Sequence, residues 1–368
     1  MAPPICPCSL CWEGIGHPPP KPKVPKPKSS SPKKHWYEKQ EAAKVWQRRR
    51  LSIESTASDA DGLRFTDLEP NMGAGVDPAL LEALALDPAS TQIAPHGGSG
   101  FASTFKLTCP RGNASDHGKD DNYFVKTGVG AEAELMFKGE HASLNVIHAA
   151  VPNFCPQSHA HGALKDSPGK FFMATDFLEL GSSAPGGSGQ SLAQKLGKLH
   201  TTPAPIPEGY SQPMFGFPVT TCCGSTPQDN SWKASWAEFY ADNRLRGILK
   251  AGVAANGADK EVTTAVEKTA SVVVPRLLGD DHLKGVRPVV VHGDLWSGNK
   301  GRGRIDGQGG AEDVVFDASA VYGHSEYEIG DMKMFGGFGS SFWTEYFKIV
   351  PKTEPTEEFD DRVALYEL

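Results

Sequence analysis

The chain has 368 residues and no apolar run near the roughly 20 residues that cross a bilayer. Its first residues also lack the apolar core of a secretion signal. The expectation is therefore a cytoplasmic protein with no membrane partner. Cysteine is scarce and odd in number, seven in all, with Cys6, Cys8 and Cys11 bunched at the start. That excludes a disulfide framework and points to a reducing compartment. A net charge of -7 gives no broad basic surface for nucleic acid. No Gly-x-x-x-x-Gly-Lys-Ser/Thr is present, so a Walker-type phosphate loop is excluded.

What basic charge there is gathers near the N-terminus. Pro18–Lys34 is almost entirely Pro, Lys and Ser and cannot bury a core, so residues 1–75 read as a disordered basic tail. Cys6, Cys8, Cys11 and His17 mimic a zinc knuckle, but close cysteines without a folded frame make a poor site, and a solvated extension is the simpler reading. His35–Leu51 is compatible with a short helix. The folded body begins near Val76, where Asp77 caps a helix with Pro78 at its first position.

The front half reads as a nucleotide clamp. Gly97, Gly98 and Gly100 form a turn ahead of the alternating segment Phe101–Leu107, and such a turn lets backbone N–H groups approach phosphates. An ordinary loop has the same composition. Asn122–Thr127 is a second strand and carries Lys126 near its end. On the helix 131–149, Met136, Glu140, Leu144 and Ile147 share one face. A carboxylate in an apolar stripe is costly unless it meets a cation, and Lys126 is the natural partner for Glu140. Phe171–Thr175 is a third strand. It leads to Asp176, Phe177 and Leu178, whose backbone is expected to face an adenine edge. A Gly/Ser-rich stretch, 181–190, then serves as the hinge.

The rear half is mainly helical, with a face of Leu192, Leu196 and Leu199 and helices expected at 235–255 and 259–278. Embedded in it is Val289-Val290-Val291-His292-Gly293-Asp294-Leu295-Trp296-Ser297-Gly298-Asn299. Phosphoryl transfer to a hydroxyl needs a carboxylate to orient the attacking oxygen and an amide oxygen to hold a metal on the nucleotide. The protein-kinase catalytic loop uses this Asp-to-Asn spacing for both. A second strand ends in Asp317. Residues 300–313 read as a hairpin connection, so that two adjacent strands bring Asp294, Asn299 and Asp317 to one edge. Such an oxygen-rich set suits Mg²⁺. The fold class expected is α+β, a protein-kinase-like two-lobed body with a β-rich front lobe over 76–180 and a mainly α-helical rear lobe over 181–368.

From about Val76 to its last residue the chain resembles the fructosamine 3-kinase (ketosamine kinase) family, with the order of the matching pieces kept. The resemblance rests on Met214-Phe215-Gly216-Phe217, Thr221-Cys222-Cys223-Gly224 and Pro227-Gln228-x-Asn230-x-Trp232. It continues through Trp236-x-x-Phe239-Tyr240, His292–Asn299, Tyr322–Glu328 and Met334–Phe338. It implies ATP-dependent phosphorylation of the 3-hydroxyl of fructosamine or ribulosamine groups, on glycated proteins or small ketoamines, with Mg²⁺. By motif, Asp294 takes the proton-acceptor role, Asn299 and Asp317 the metal roles, and Lys126 with Glu140 the ATP anchor. Trp232, Trp236, Trp296 and His292 are the candidates for the substrate side. The spacing of Trp232 and Trp236 would put both on one helix side, although core packing explains tryptophans equally well. Some relatives carry a Cys in the Gly-rich loop where this chain has Ser99 and Gly100, which implies no thiol switch there. Relatives also continue through a further rear helix, so an open apolar face is expected near the C-terminal residues. Other kinases of the aminoglycoside or choline type, or an inactive kinase-shaped binding protein, are the rival readings.

Overall fold

The computed structural model describes residues 75–97, 102–111, 120–307 and 309–368. The tail, the cysteines proposed to mimic a zinc knuckle, the expected helix at His35–Leu51, and Gly98 and Gly100 lie outside them. No helix among the described residues is long and apolar enough to cross a membrane.

The described chain opens with α1 (Pro78–Leu84), where Asp77 Oδ1 accepts from Ala79 N at 2.8 Å. Five antiparallel strands follow: β1 (Gln92–Pro95), β2 (Ser103–Pro110), β3 (Asp120–Val129), β4 (Ser158–Ala163) and β5 (Lys170–Asp176), in the order β1-β2-β3-β5-β4. Alternation sends Phe105, Leu107 and Val125 to one face, where they pack with Leu80 of α1. The opposite face receives α2 (Gly130–Ala150), through Ala133 and Phe137 against Met173. The far end of α2 packs elsewhere. Its Leu144 and Ile147 join a core with Leu196, Leu199, Val290 and Leu295. One helix is thus shared by front sheet and rear lobe.

Beyond β6 (Leu178–Leu180) the chain is mainly helical. α3 (Leu192–Thr201) starts in a capping box, Ser191 with Gln194. A small hairpin, β7 (Thr221–Cys223) and β8 (Thr226–Gln228), packs under α2. A side chain at Gly139 would meet Thr220 O at 2.8 Å, so the helix reaches the hairpin only because that residue is glycine. The helix expected at 235–255 is α4 (Trp236–Glu238), wide i→i+5 turns over Phe239–Arg246, and α5 (Gly247–Asn256). The next is α6 (Lys260–Lys268), capped by Asp259, a wide stretch over Thr269–Val273, and α7 (Val274–Leu278).

One strand arrangement differs from the sequence expectation. β9 (Val289–Val291) does not pair with the strand that precedes Asp317; it pairs with β12 (Val321–Gly323). Residues 300–313 are more than a connection. They contain β10 (Lys300–Ile305), which pairs with β11 (Glu312–Val315) on one side and β6 on the other. Three-residue apolar strands carry no register of their own, so tertiary partners set the pairing.

The last helices are α8 (Ser325–Phe335), α9 (Ser340–Ile349) and α10 (Phe359–Tyr366). α10 is anchored by Arg362, which is fully buried and donates to Glu326 Oε2 at 2.7 Å and Oε1 at 3.1 Å, and to the carbonyl of Thr353. Tyr366 sits against Gly330, and its hydroxyl accepts from Trp236 Nε1 at 2.7 Å. An apolar groove of about 510 Å³ lies between α5 and α6, bordered by Leu245, Ile248, Val253, Val262 and the exposed Leu368.

Arg362→Ala strands the buried Glu326 carboxylate, and a loss of about 3–5 kcal/mol in unfolding free energy is expected by urea denaturation. A loss below about 1 kcal/mol would show that the carboxylate finds other partners. Nearby, His324 lies between Tyr366 Oη at 3.0 Å and Thr353 Oγ1 at 2.8 Å. Burial, reinforced by Arg362 and His200 and opposed by Glu326, pushes it down to about 4. The unfolded chain takes this proton at higher pH than the folded one, so His324 withdraws stability as pH falls from about 6.5 to about 4. His324→Gln is expected to flatten the fall of melting temperature across that window; an unchanged slope would contradict it.

Candidate active site

Three segments meet in the cleft. β3 delivers Lys126 and the middle of α2 delivers Glu140: Lys126 Nζ lies 2.7 Å from Glu140 Oε1 and 2.9 Å from Oε2. The same ammonium lies 2.6 Å from Asp317 Oδ1. Asp317 follows β11 with φ of 56°, a left-handed conformation uncommon for a residue with a side chain. One cation thus serves two carboxylates. Burial pushes Glu140 up to about 7, and Lys126 offsets this only in part. Burial also works against Asp317, but Lys126 outweighs it and holds that carboxyl below its ordinary range. Burial alone would depress Lys126; the two carboxylates prevail and hold it charged, well above its usual value.

Asp294 follows β9. Asn299, in a short 3₁₀ turn (Ser297–Asn299), donates from Nδ2 to the backbone oxygen of Asp294 at 2.9 Å and to its Oδ2 at 3.0 Å. The backbone oxygen of Asp317 lies 3.5 Å from the same nitrogen. Asp294, Asn299 and Asp317 are therefore one assembly. Gly293 makes the turn possible. Its φ is 79°, and a Cβ there would sit 2.0 Å from Ser319 O.

The Asp317 carboxylate and the Asn299 amide oxygen are hard donors. Mg²⁺ needs only one or two carboxylates when phosphate oxygens complete its shell, and the Asp317 side chain is 51% exposed. The donor set fits such an ion. Among the described residues no cluster of three His, Cys, Asp or Glu side chains offers an all-protein cage.

Other expected site residues are placed differently. His292 is fully buried and is not a substrate contact. Its Nδ1 accepts from Asp294 N at 3.3 Å, which leaves Nε2–H to donate to Phe316 O at 3.0 Å. Burial depresses its pKa, in keeping with that neutral form. Trp236 is also corrected. At 1% exposure it is enclosed by Phe239, Tyr240 and Tyr366, with no open ring face. Trp232 precedes α4 and so shares no helix side with Trp236; it is half-buried and stacks on Tyr322. Trp296 is half-buried beside Phe335, next to the catalytic loop.

At the hinge, Asp176 N donates to Gln157 O, and its carboxylate accepts from Gln157 N at 2.8 Å and pairs with His159 at 2.6 Å. Phe177 N donates to Asn122 O, and Phe177 O accepts from Asp306 N at 2.9 Å. Gly181 N also faces β10, through Arg302 O. The alternation of an antiparallel ladder then turns the backbone groups of Leu178 the other way. The adenine-edge expectation narrows to Leu178. Gly97 has φ of 73°, next to a bond from Thr104 Oγ1 to His96 O.

Cys222 is half-buried and Cys223 exposed; burial, with Cys223 adjacent, pushes the Cys222 thiol up to about 11. Two features escaped the sequence reading: the glycine contact at 139, and the buried Glu328, whose carboxylate accepts from Gly293 N at 3.1 Å but which is visible only as one letter of a motif.

The double-mutant cycle of Lys126→Met and Glu140→Gln tests the ion pair. The single K126M change is expected to destabilise by about 3 kcal/mol, because the buried Glu140 carboxylate loses its cation. E140Q in that background should restore part of the loss, with a coupling of about 1–3 kcal/mol by denaturant unfolding. Additive effects would mean that the pair is not energetically linked.

Comparison with known proteins bears on this geometry. A family model described as fructosamine kinase matches residues 93–368. The chloroplastic protein-ribulosamine 3-kinase of Arabidopsis thaliana is 31% identical over 256 residues, covering 69% of this chain and 72% of the relative. The ketosamine-3-kinase of Mus musculus is 33% identical over 300 residues, covering 76% of this chain and 87% of the relative. A solved structure assigned to fructosamine-3-kinase from Haemophilus somnus superposes with a TM-score of 0.57 at 20% identity, covering 80% of this chain and 86% of that one, and so shares its fold. With the two-lobed, protein-kinase-like α+β fold and these matches together, the chain belongs to the fructosamine kinase family.

Proposed function

We propose that the protein is an ATP-dependent kinase acting on the 3-hydroxyl of fructosamine or ribulosamine adducts, on protein lysines or on free amines. The phosphorylated product would break down and release the amine, so the net effect is deglycation. The observation that carries this reading is the continuous assembly of Glu140, Lys126, Asp317, Asn299 and Asp294.

In the proposed reaction the substrate hydroxyl oxygen attacks the γ-phosphorus of ATP. An O–P bond forms, the bond to the β,γ-bridging oxygen breaks, and ADP leaves. Asp294 orients the hydroxyl and takes its proton on the carboxylate. Asn299 fixes that carboxylate by its hydrogen bond to Oδ2. Lys126 offsets phosphate charge and is itself held by Glu140. Asn299 and Asp317 would hold Mg²⁺, which when bound neutralises charge on the phosphates. The protein thus contributes position and electrostatics rather than covalent chemistry. The Gly-rich turn at Gly97, Gly98 and Gly100 would cover the phosphates, and Leu178 would meet the base. Trp296 and Trp232 are the aromatic surfaces proposed for the sugar and its amine substituent. The cysteine usage supports a reducing compartment such as the cytoplasm.

Asp294→Asn removes the proton acceptor but keeps the hydrogen-bonding shape. Turnover is expected to fall about 10²- to 10⁴-fold, with ATP affinity within about threefold of the parent. The assay is Mg²⁺-dependent ATP turnover on a fructosamine, a ribulosamine, an aminoglycoside and choline in parallel. Near-normal turnover by the variant would reject the role of Asp294. Turnover on the aminoglycoside or choline alone would reject the ketoamine substrate.

A further inference from the structure

The cleft-facing side of the front sheet is built in rows. Lys126 stands opposite Thr104 on β2 and Met173 on β5. One row nearer the hinge, Phe124 stands opposite Lys106 and Thr175. Directly opposed residues share a face, and so do residues two apart on one strand. That face is the one on which Lys126 meets Glu140 and Met173 meets α2, so Lys106, Phe124 and Thr175 line the roof of the cleft. Successive rows are about 7 Å apart. The first row holds the proposed phosphate anchor. The second runs into Asp176, Phe177 and Leu178, where the base would sit.

A lysine in that roof is unexpected. Lys106 is half-buried, and among the described residues no carboxylate pairs with it. Its ammonium lies 4.5 Å over the ring of Phe177, which His96 also meets edge-on at 4.9 Å between centroids. Phe177 directly precedes Leu178, so a cation stands at the hinge end of the roof. Acceptors at the same place are already engaged. The carbonyl of Asp176 accepts from Thr175 Oγ1 at 3.0 Å, and that of Phe177 accepts from Asp306 N. The donors left for a base are the Lys106 ammonium and the N–H of Leu178. Adenine carries an amino donor at its six position and guanine a carbonyl acceptor, while both carry an acceptor at N7. Lysine has three donors and no acceptor, so it suits the guanine carbonyl and disfavours the adenine amino group. The Leu178 N–H suits that carbonyl too, and the Leu178 carbonyl can take the guanine N1–H. Adenine still has N1 for the Leu178 N–H and N7 for Lys106.

We propose that the nucleotide site accepts guanine as well as adenine nucleotides, and that Lys106 is the residue that admits guanine. The proposal deepens the kinase reading and rests on the cleft being a nucleotide site. The γ-phosphoryl group is the same in ATP and GTP, so a change of base leaves the chemistry at Asp294 unaltered. The test titrates the full chain, with Mg²⁺ present, against ADP and against GDP and reads the two dissociation constants. GDP is expected to bind within about tenfold of ADP, since each base meets the same two donors. Lys106→Met keeps the stem on Phe177 and removes the charge. In that variant the affinity for GDP relative to ADP is expected to fall about tenfold to a hundredfold, the range set by one hydrogen bond from a charged group. Lys106→Arg should return most of the loss, because it restores a charged donor.

A parent protein that binds ADP but holds GDP more than about tenfold more weakly overturns the proposal and leaves the kinase reading standing. So does a Lys106→Met protein that melts like the parent and keeps the same ratio of the two constants, which would make Lys106 a cover for Phe177. The first of these outcomes needs no variant, so a substitution that failed to fold would not shield the proposal. Binding of neither nucleotide removes the kinase reading and this inference with it.

Discussion

A single ammonium between two carboxylates organises this molecule. Lys126 comes from the front sheet, Glu140 from the shared helix and Asp317 from the rear lobe, and the three meet within hydrogen-bonding distance. Lys126 and Glu140 are each costly to bury alone. Together the three oblige β3, α2 and the segment after β11 to adopt one mutual arrangement. α2 is suited to this because its first half packs on the front sheet and its second half enters the rear core. The close approach at Gly139 lets the helix seat on the β7–β8 hairpin, which keeps Glu140 level with Lys126.

Much of this was legible from residues. Glu140 announced itself as an acid inside an apolar stripe, a local inconsistency that only a cation resolves. Asp294 and Asn299 were marked by their spacing after a Val-Val-Val strand, because a five-residue interval lets a turn bring amide and carboxylate together. The front sheet was readable because its strands are long enough to alternate. β2 and β3 each show one apolar face.

The remainder was hidden for physical reasons. The pairing of β9 with β12 is fixed by surrounding helices and not by any pattern in three valines. The two-tryptophan surface failed because Trp232 lies just outside α4, and because a ring as large as Trp236 gains more from full burial among Phe239, Tyr240 and Tyr366. His292 looked like a ligand contact in a motif, yet both ring nitrogens serve the backbone. A sequence shows that an acid is present but not whether it is buried, so Glu328 could not be told from the solvated acids around it.

The position of β10 gives the hinge a particular mechanical character. This strand begins at Lys300, directly after Asn299, and ends at Ile305, opposite Leu178. It is clamped there by Asp306 N on Phe177 O, and Arg111 of the front lobe reaches Asp306 at 3.4 Å. The crossing between lobes is thus a stiff ladder whose other end abuts the amide of the catalytic turn. Any tilt of one lobe on the other is levered along six residues of strand to Asn299, so opening the cleft and loosening its floor become the same movement.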